Sequence, residues 1–142
     1  FVPVDESADI LTDAAEKFFD GDIYKLAELY FAQEAGVVSA THADIVGHFD
    51  LITKFNEGER LFSESHPRYT AAWRAAVLPI LAAHVPFEIN FGAISRGYRT
   101  EPYPSKEIRE FIRENGGEFI LSSDAHAAGT VGYGFETWEE TE

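Results

Sequence analysis

Near its C-terminus the chain places a carboxylate and an imidazole two residues apart, in Asp124-Ala125-His126, just after a short apolar run ending at Leu121. In an extended or turning segment both side chains can reach one side and together hold a divalent cation, and the two oxygens of an Asp can each take a metal. The same spacing also suits a solvated turn with an Asx cap. A second imidazole, His48, follows Gly47 at the end of another apolar run. It reads either as a further ligand or as a buried histidine bonded to a carbonyl. Asp50 can orient His48 or cap the next turn. Lys54, Arg96 and Arg99 are the cations nearest these positions. A phosphate ester needs such groups, and Arg can grip phosphate in a fork, although a single Lys or Arg is more commonly a solvated surface charge. His42, His66 and His84 fall at helix ends or in loops and read as structural or exposed.

The elements that would position these groups are legible from periodicity and capping residues. Ser7 or Asp5 can cap a first helix with Ile10, Leu11, Ala14 and Phe18 on one face, ended by Gly21. Asp22 can cap a second, carrying Ile23, Leu26, Leu29 and Tyr30 toward Gly36. A third helix is expected over residues 69–84, bent near Pro79. A fourth runs over residues 106–114, capped by Ser105 and closed by Asn115-Gly116-Gly117. A last helical stretch is expected around residues 135–140. Short strands are expected at 44–47, 86–90 and 118–121, and residues 91–104, rich in Gly, Arg and Tyr, read as a loop. The aromatic residues Phe18, Phe19, Phe31, Trp73 and Phe111 fall at helical spacing and read as core.

Helices alternating with single strands imply crossover connections and a parallel sheet, so the fold class is α/β. A barrel and an open doubly wound sheet both fit. Three strands cannot close a barrel, so the barrel reading predicts that much of it lies outside these residues. In both architectures sites form at the C-terminal ends of strands. Each expected strand delivers polar residues there: His48 and Asp50 after the first, Asn90 with Arg96 after the second, and Ser122, Ser123, Asp124 and His126 after the third.

Composition bounds the partners. The 142 residues suit one segment of ordinary domain size, 1–142, and 45% hydrophobic content can support a packed core. A net charge of -14 disfavours free nucleic acid as a partner. It leaves a small phosphate ester possible, because local cations can invert the field inside a cleft. The absence of cysteine excludes disulfides, thiolate nucleophiles and Cys-bound zinc, and the cytosol is the simplest compartment. No apolar run approaches the roughly 20 residues that span a bilayer, so no membrane partner is expected. The chain starts at Phe1 and has no methionine, which fits a fragment or a processed product.

Several stretches resemble one family. Gly47-His48-Phe49-Asp50-Leu51-Ile52, continued by Lys54-Phe55-Asn56, is similar to the G-H-F-D-L-I segment of histidinol-phosphatases of the polymerase-and-histidinol-phosphatase (PHP) class. Glu88-Ile89-Asn90 resembles their E-[IV]-N strand, and Glu101-Pro102-Tyr103-Pro104-Ser105 their E-x-Y-P-S. Ser123-Asp124-Ala125-His126 resembles the S-D-A-H motif found across the class. The match runs from about Asp44 to Phe135, with order and spacing preserved.

The resemblance implies the C-terminal portion of a distorted (β/α)7 barrel with parallel strands. It also implies a cluster of up to three divalent metals (zinc, iron or manganese) and hydrolysis of L-histidinol phosphate, a small phosphorylated substrate, in histidine biosynthesis. His48, Asp124 and His126 would be metal ligands, and Asp124 and His126 would also serve catalysis. Arg96 and Lys54 would bind the phosphate, with Asp50 and Asn90 supporting the ligands. The family's H-x-H motif and its metal-bridging Glu are not among residues 1–142, and Glu88 belongs to a different strand from that Glu. The expected partner is therefore the missing N-terminal half, and the isolated segment is expected to be inactive. The alternatives are a PHP phosphoesterase acting on phosphotyrosine or a nucleotide, and a non-catalytic half-barrel that binds or assembles.

Overall fold

The computed structural model describes residues 3–138. Six α-helices and two strands follow one another: α1 (Ala8–Phe19), α2 (Ile23–Ala35), α3 (Val37–Thr41), α4 (Pro67–Ala82), β1 (Phe87–Asn90), α5 (Gly92–Ser95), α6 (Lys106–Glu114) and β2 (Phe119–Ser122). No helix among the described residues is long and apolar enough to cross a membrane.

The helix starts follow their caps. Ser7 Oγ accepts from the Ile10 N–H at 3.1 Å, and Asp22 Oδ1 accepts from the N–H groups of Tyr24 and Lys25, both at 3.1 Å. These bonds satisfy donors that the first helical turn cannot pair internally. At α6 the expected cap works differently. Ser105 occupies the cap position without a side-chain bond; Asp50 Oδ2 instead accepts from the Ser105 N–H at 2.8 Å, and Glu101 Oε2 from the Lys106 N–H at 2.9 Å. Pro79 lies inside α4.

The core sits between α2, α4, α6 and one face of the sheet. Leu26 and Phe31 of α2 meet Tyr69, Trp73, Val77 and Ile80 of α4, all fully buried, with Ile108 and Ile112 of α6 beside them. Aromatic contacts carry this packing to the sheet: Tyr69 to Phe31 (5.4 Å between ring centroids), Phe31 to Phe49 (5.4 Å) and Phe49 to Phe87 (5.6 Å). Such ring pairs add about 0.5–1.5 kcal/mol each beyond the area they bury. Phe18 was expected in this core and is exposed; Phe19 closes the end of α1 instead. Spacing places both near the apolar arc, and only the neighbouring elements decide which of them is covered.

β1 and β2 are parallel, with Phe87 opposite Phe119 and Asn90 opposite Ser122. The strand expected at 44–47 contracts to a single parallel bridge, Val46 to Phe87, in which Glu88 N–H donates to Val46 O at 2.8 Å. Its position beside β1 is as expected, but pairing stops at Gly47, where the chain turns to place His48. The architecture is thus α/β with parallel strands, and the described residues hold two strands rather than a barrel. The expected loop over 91–104 contains α5, and Tyr103 folds back to pair with Asn90 in an antiparallel bridge. Residues 131–137 form turns rather than the start of the expected last helix, and 139–140 lie outside the described residues.

Candidate functional site

The three segments converge at one edge of the sheet. His48, Lys54, Arg96, Asp124 and His126 line a single cleft of about 330 Å³, together with Asp5, Leu51, Ala93, Tyr98 and Tyr103. Its size is at the small end of the range for ligand sites.

His48 is held through its neighbours. Phe49, fully buried, anchors the turn in the core, while His48 faces outward with φ 26°. The His48 N–H donates to Glu88 Oε2 at 2.9 Å. The same oxygen accepts from Asn90 Nδ2 at 2.9 Å, and Asn90 Oδ1 accepts from the Gly92 N–H at 2.8 Å. One chain of bonds therefore ties the His48 turn to the end of β1 and to the start of α5. Asn90, named above as a support of the ligands, bonds Glu88 and Gly92, while Glu88 itself carries no such expectation. A carboxylate mid-strand gives no signal in the sequence until its partner 40 residues away is known.

Asp124 follows β2 with φ 46°. Two site residues at strand ends, His48 and Asp124, thus occupy the left-handed region, which His and Asp tolerate better than most residues. Arg96 grips Asp124 twice, with Nη2 to Oδ2 at 2.8 Å and Nη1 to the carbonyl oxygen at 2.9 Å. Gly92 makes room for this pair: a β-carbon there would collide with the Asp124 carboxylate and the Arg96 guanidinium. His126 Nε2 stands 3.4 Å from Asp124 Oδ1, largely exposed. Burial raises the Asp124 carboxyl, but the hydrogen bond and charge of Arg96 and the proximity of His126 outweigh it, so its pKa lies below the ordinary value.

Lys54 reaches the cleft with Nζ donating to Asp5 O at 2.7 Å and lying 4.8 Å from the Tyr98 ring centroid. Arg99, by contrast, is buried away from the cleft, where it donates to Thr53 O and Glu64 Oε1, each at 2.9 Å. Asp50 is fully buried and holds Ser105 rather than His48. Of the remaining histidines, His66 caps α4, accepting from Arg68 N–H at 3.2 Å, and stacks on Tyr24 at 3.7 Å.

Two imidazoles and a carboxylate in one cleft suit a divalent cation chemically. Among the described residues, however, no three His, Asp or Glu side chains converge closely enough to hold one. These residues by themselves do not form a complete ligand set.

No family model matches the chain. A curated Schizosaccharomyces pombe protein named "Probable histidinol-phosphatase" is 29% identical over 108 residues, covering 75% of this chain and 35% of that protein. The chain is histidinol-phosphatase-like. The crystal structure of the candidate histidinol phosphatase hisK from Listeria monocytogenes superposes with a TM-score of 0.75 at 22% identity. It covers 96% of this chain and 52% of its own, and at that identity the likeness is one of fold. The histidinol-phosphatase-like chain thus spans about a third of the curated relative's length and about half of the Listeria chain.

Proposed function

We propose that the whole protein hydrolyses a phosphate monoester, L-histidinol phosphate, to L-histidinol and inorganic phosphate. The observation that carries this reading is the cleft itself: two cations, Arg96 and Lys54, share one pocket with His48, Asp124 and His126. On a chain of net charge -14, two cations that offset the two carboxylates of the cleft, Asp5 and Asp124, relieve the local repulsion an anionic substrate would otherwise meet. The similarity to a protein named histidinol-phosphatase supplies the substrate.

In this reading Arg96 binds two phosphoryl oxygens in a fork, and Lys54 adds a point charge that offsets negative charge building on the phosphoryl group. Water attacks phosphorus as the ester P–O bond breaks, and the departing histidinol oxygen takes up a proton. The Asp124 carboxylate, released when Arg96 turns to the phosphoryl group, accepts the proton of the attacking water, and the departing oxygen is protonated from solvent. A divalent cation held by His48, Asp124 and His126, with ligands from outside the described residues, would supply Lewis-acid stabilisation and lower the pKa of water.

The unconverged ligand set favours a second reading for the isolated segment, in which residues 1–142 bind phosphate without turning it over. The test is a substrate panel. Histidinol phosphate, phosphotyrosine and nucleoside monophosphates are each given to the whole protein and to residues 1–142 alone. Preference for histidinol phosphate by the whole protein supports the proposal, and preference for another ester assigns a different phosphoesterase.

A further inference from the structure

The two carboxylates of the cleft differ in what holds them. Asp124 is paired: Arg96 donates to its Oδ2 at 2.8 Å and to its carbonyl oxygen at 2.9 Å. Asp5 is not. Lys54 Nζ reaches Asp5 at 2.7 Å, but the acceptor is the backbone carbonyl oxygen, and the Asp5 carboxylate has no hydrogen bond or ion pair among the described residues. That bond fastens the segment before α1 to the cleft, where the neighbouring Val4 is buried in the core. An exposed Asp is commonly no more than a solvated charge. Here it is held beside a cation assigned to phosphate, where a bare carboxylate repels any ester that brings no positive charge of its own. The nearby walls Leu51, Ala93, Tyr98 and Tyr103 carry no charge to offset it.

We propose that Asp5 selects the substrate: it holds the ammonium of a phosphate monoester that carries a cationic amine close to phosphorus. This rests on the phosphatase reading given under Proposed function and narrows its substrate class. In a 2-aminoalkyl phosphate, the class to which L-histidinol phosphate belongs, four bonds separate nitrogen from phosphorus, a reach of roughly 4–5 Å. Asp5 and Lys54 are neighbours across one hydrogen bond, so phosphate on Lys54 brings such an amine to the Asp5 carboxylate. A nucleoside monophosphate, whose base amines are neutral, meets that carboxylate as repulsion alone. Phosphotyrosine carries its ammonium across the ring from its phosphate, too far to span the two. One side chain thus attracts one class of ester and disfavours the others. The amine is remote from the breaking P–O bond, so the contact acts alike in ground and transition states and is read in KM rather than kcat.

The experiment is steady-state kinetics of the whole protein at low ionic strength with two esters, L-histidinol phosphate and its des-amino analogue 3-(imidazol-4-yl)propyl phosphate. Wild type is compared with Asp5→Asn and Asp5→Glu, with circular dichroism to check folding. Wild type is expected to show a KM about three- to fivefold lower for the amine ester, the upper range for an exposed ion pair. Asp5→Asn should lose that preference, through KM, and Asp5→Glu should keep most of it. Equal KM values for the two esters in wild type overturn the proposal whatever the variants do, and leave the phosphatase reading standing. A preference that survives in Asp5→Asn, or a fall in kcat shared by both esters at unchanged KM, overturns it as well. Failure of wild type to turn over either ester counts against the phosphatase reading and against the role of Asp5 together.

Discussion

Asp50 Oδ2 accepts the backbone N–H of Ser105 at 2.8 Å, joining the turn after His48 to the start of α6 across 55 residues of sequence. The carboxylate is fully buried and its other oxygen has no hydrogen-bond partner among the described residues. Burial raises its pKa to about 7, against the lowering effects of the Ser105 N–H and the Arg99 charge.

That shift predicts a pH dependence of stability. Between the ordinary value of 3.8 and about 7, the folded chain keeps a proton on Asp50 that the unfolded chain has lost. The stabilisation is complete below about 4 and disappears as pH rises through 7, a loss of a few kcal/mol at most. Glu34, also raised to about 7 by burial, acts with the same sign. Comparing wild type with Asp50→Asn cancels Glu34. Melting temperatures measured from pH 4 to 8 should show the variant gaining on wild type as pH rises. Parallel curves would mean that Asp50 does not titrate in this window.

Gly92→Ala should destabilise the chain even though alanine favours a helix over glycine by about 1 kcal/mol. The added methyl would land on the Asp124 carboxylate and the Arg96 guanidinium, so the pair must separate or the backbone must shift. Overpacking of this kind costs about 1–3 kcal/mol. Urea unfolding checks it, and stability at or above wild type would show that the site yields without cost.

The sequence showed what local chemistry determines. Ser7 and Asp22 announce their helices because a cap acts within three residues, and Asn90 and Asp124 follow apolar runs that could only be strands or buried helix. It did not show what depends on distant neighbours. Residues 44–47 carry a strand-like composition, but only Val46 finds a partner in β1. Phe18 has core spacing and no cover. Glu88, Gly92 and Asp50 matter through residues 40, 32 and 55 positions away, and no pattern in a single sequence links such pairs.

Arg96→Ala in the whole protein should lower kcat/KM by about 2–4 kcal/mol of transition-state stabilisation, if Arg96 leaves Asp124 to hold the transferring phosphoryl group. Lys54→Ala should cost less, because the Lys54 ammonium is already engaged by Asp5 O and the Tyr98 ring and water can replace a point charge. Steady-state kinetics with histidinol phosphate distinguish the two. Unchanged kinetics for Arg96→Ala would remove it from the site.

The most direct measurement is release of inorganic phosphate from L-histidinol phosphate by the whole protein that contains residues 1–142, with and without chelator, beside the same assay on residues 1–142 alone. Chelator-sensitive turnover by the whole protein, a much slower rate for the isolated segment, and recovery when the remaining polypeptide is supplied are the expected results. No turnover of histidinol phosphate by the whole protein in the presence of zinc, iron or manganese would contradict the proposed activity. Full turnover by the isolated segment would contradict the view that its ligand set is incomplete.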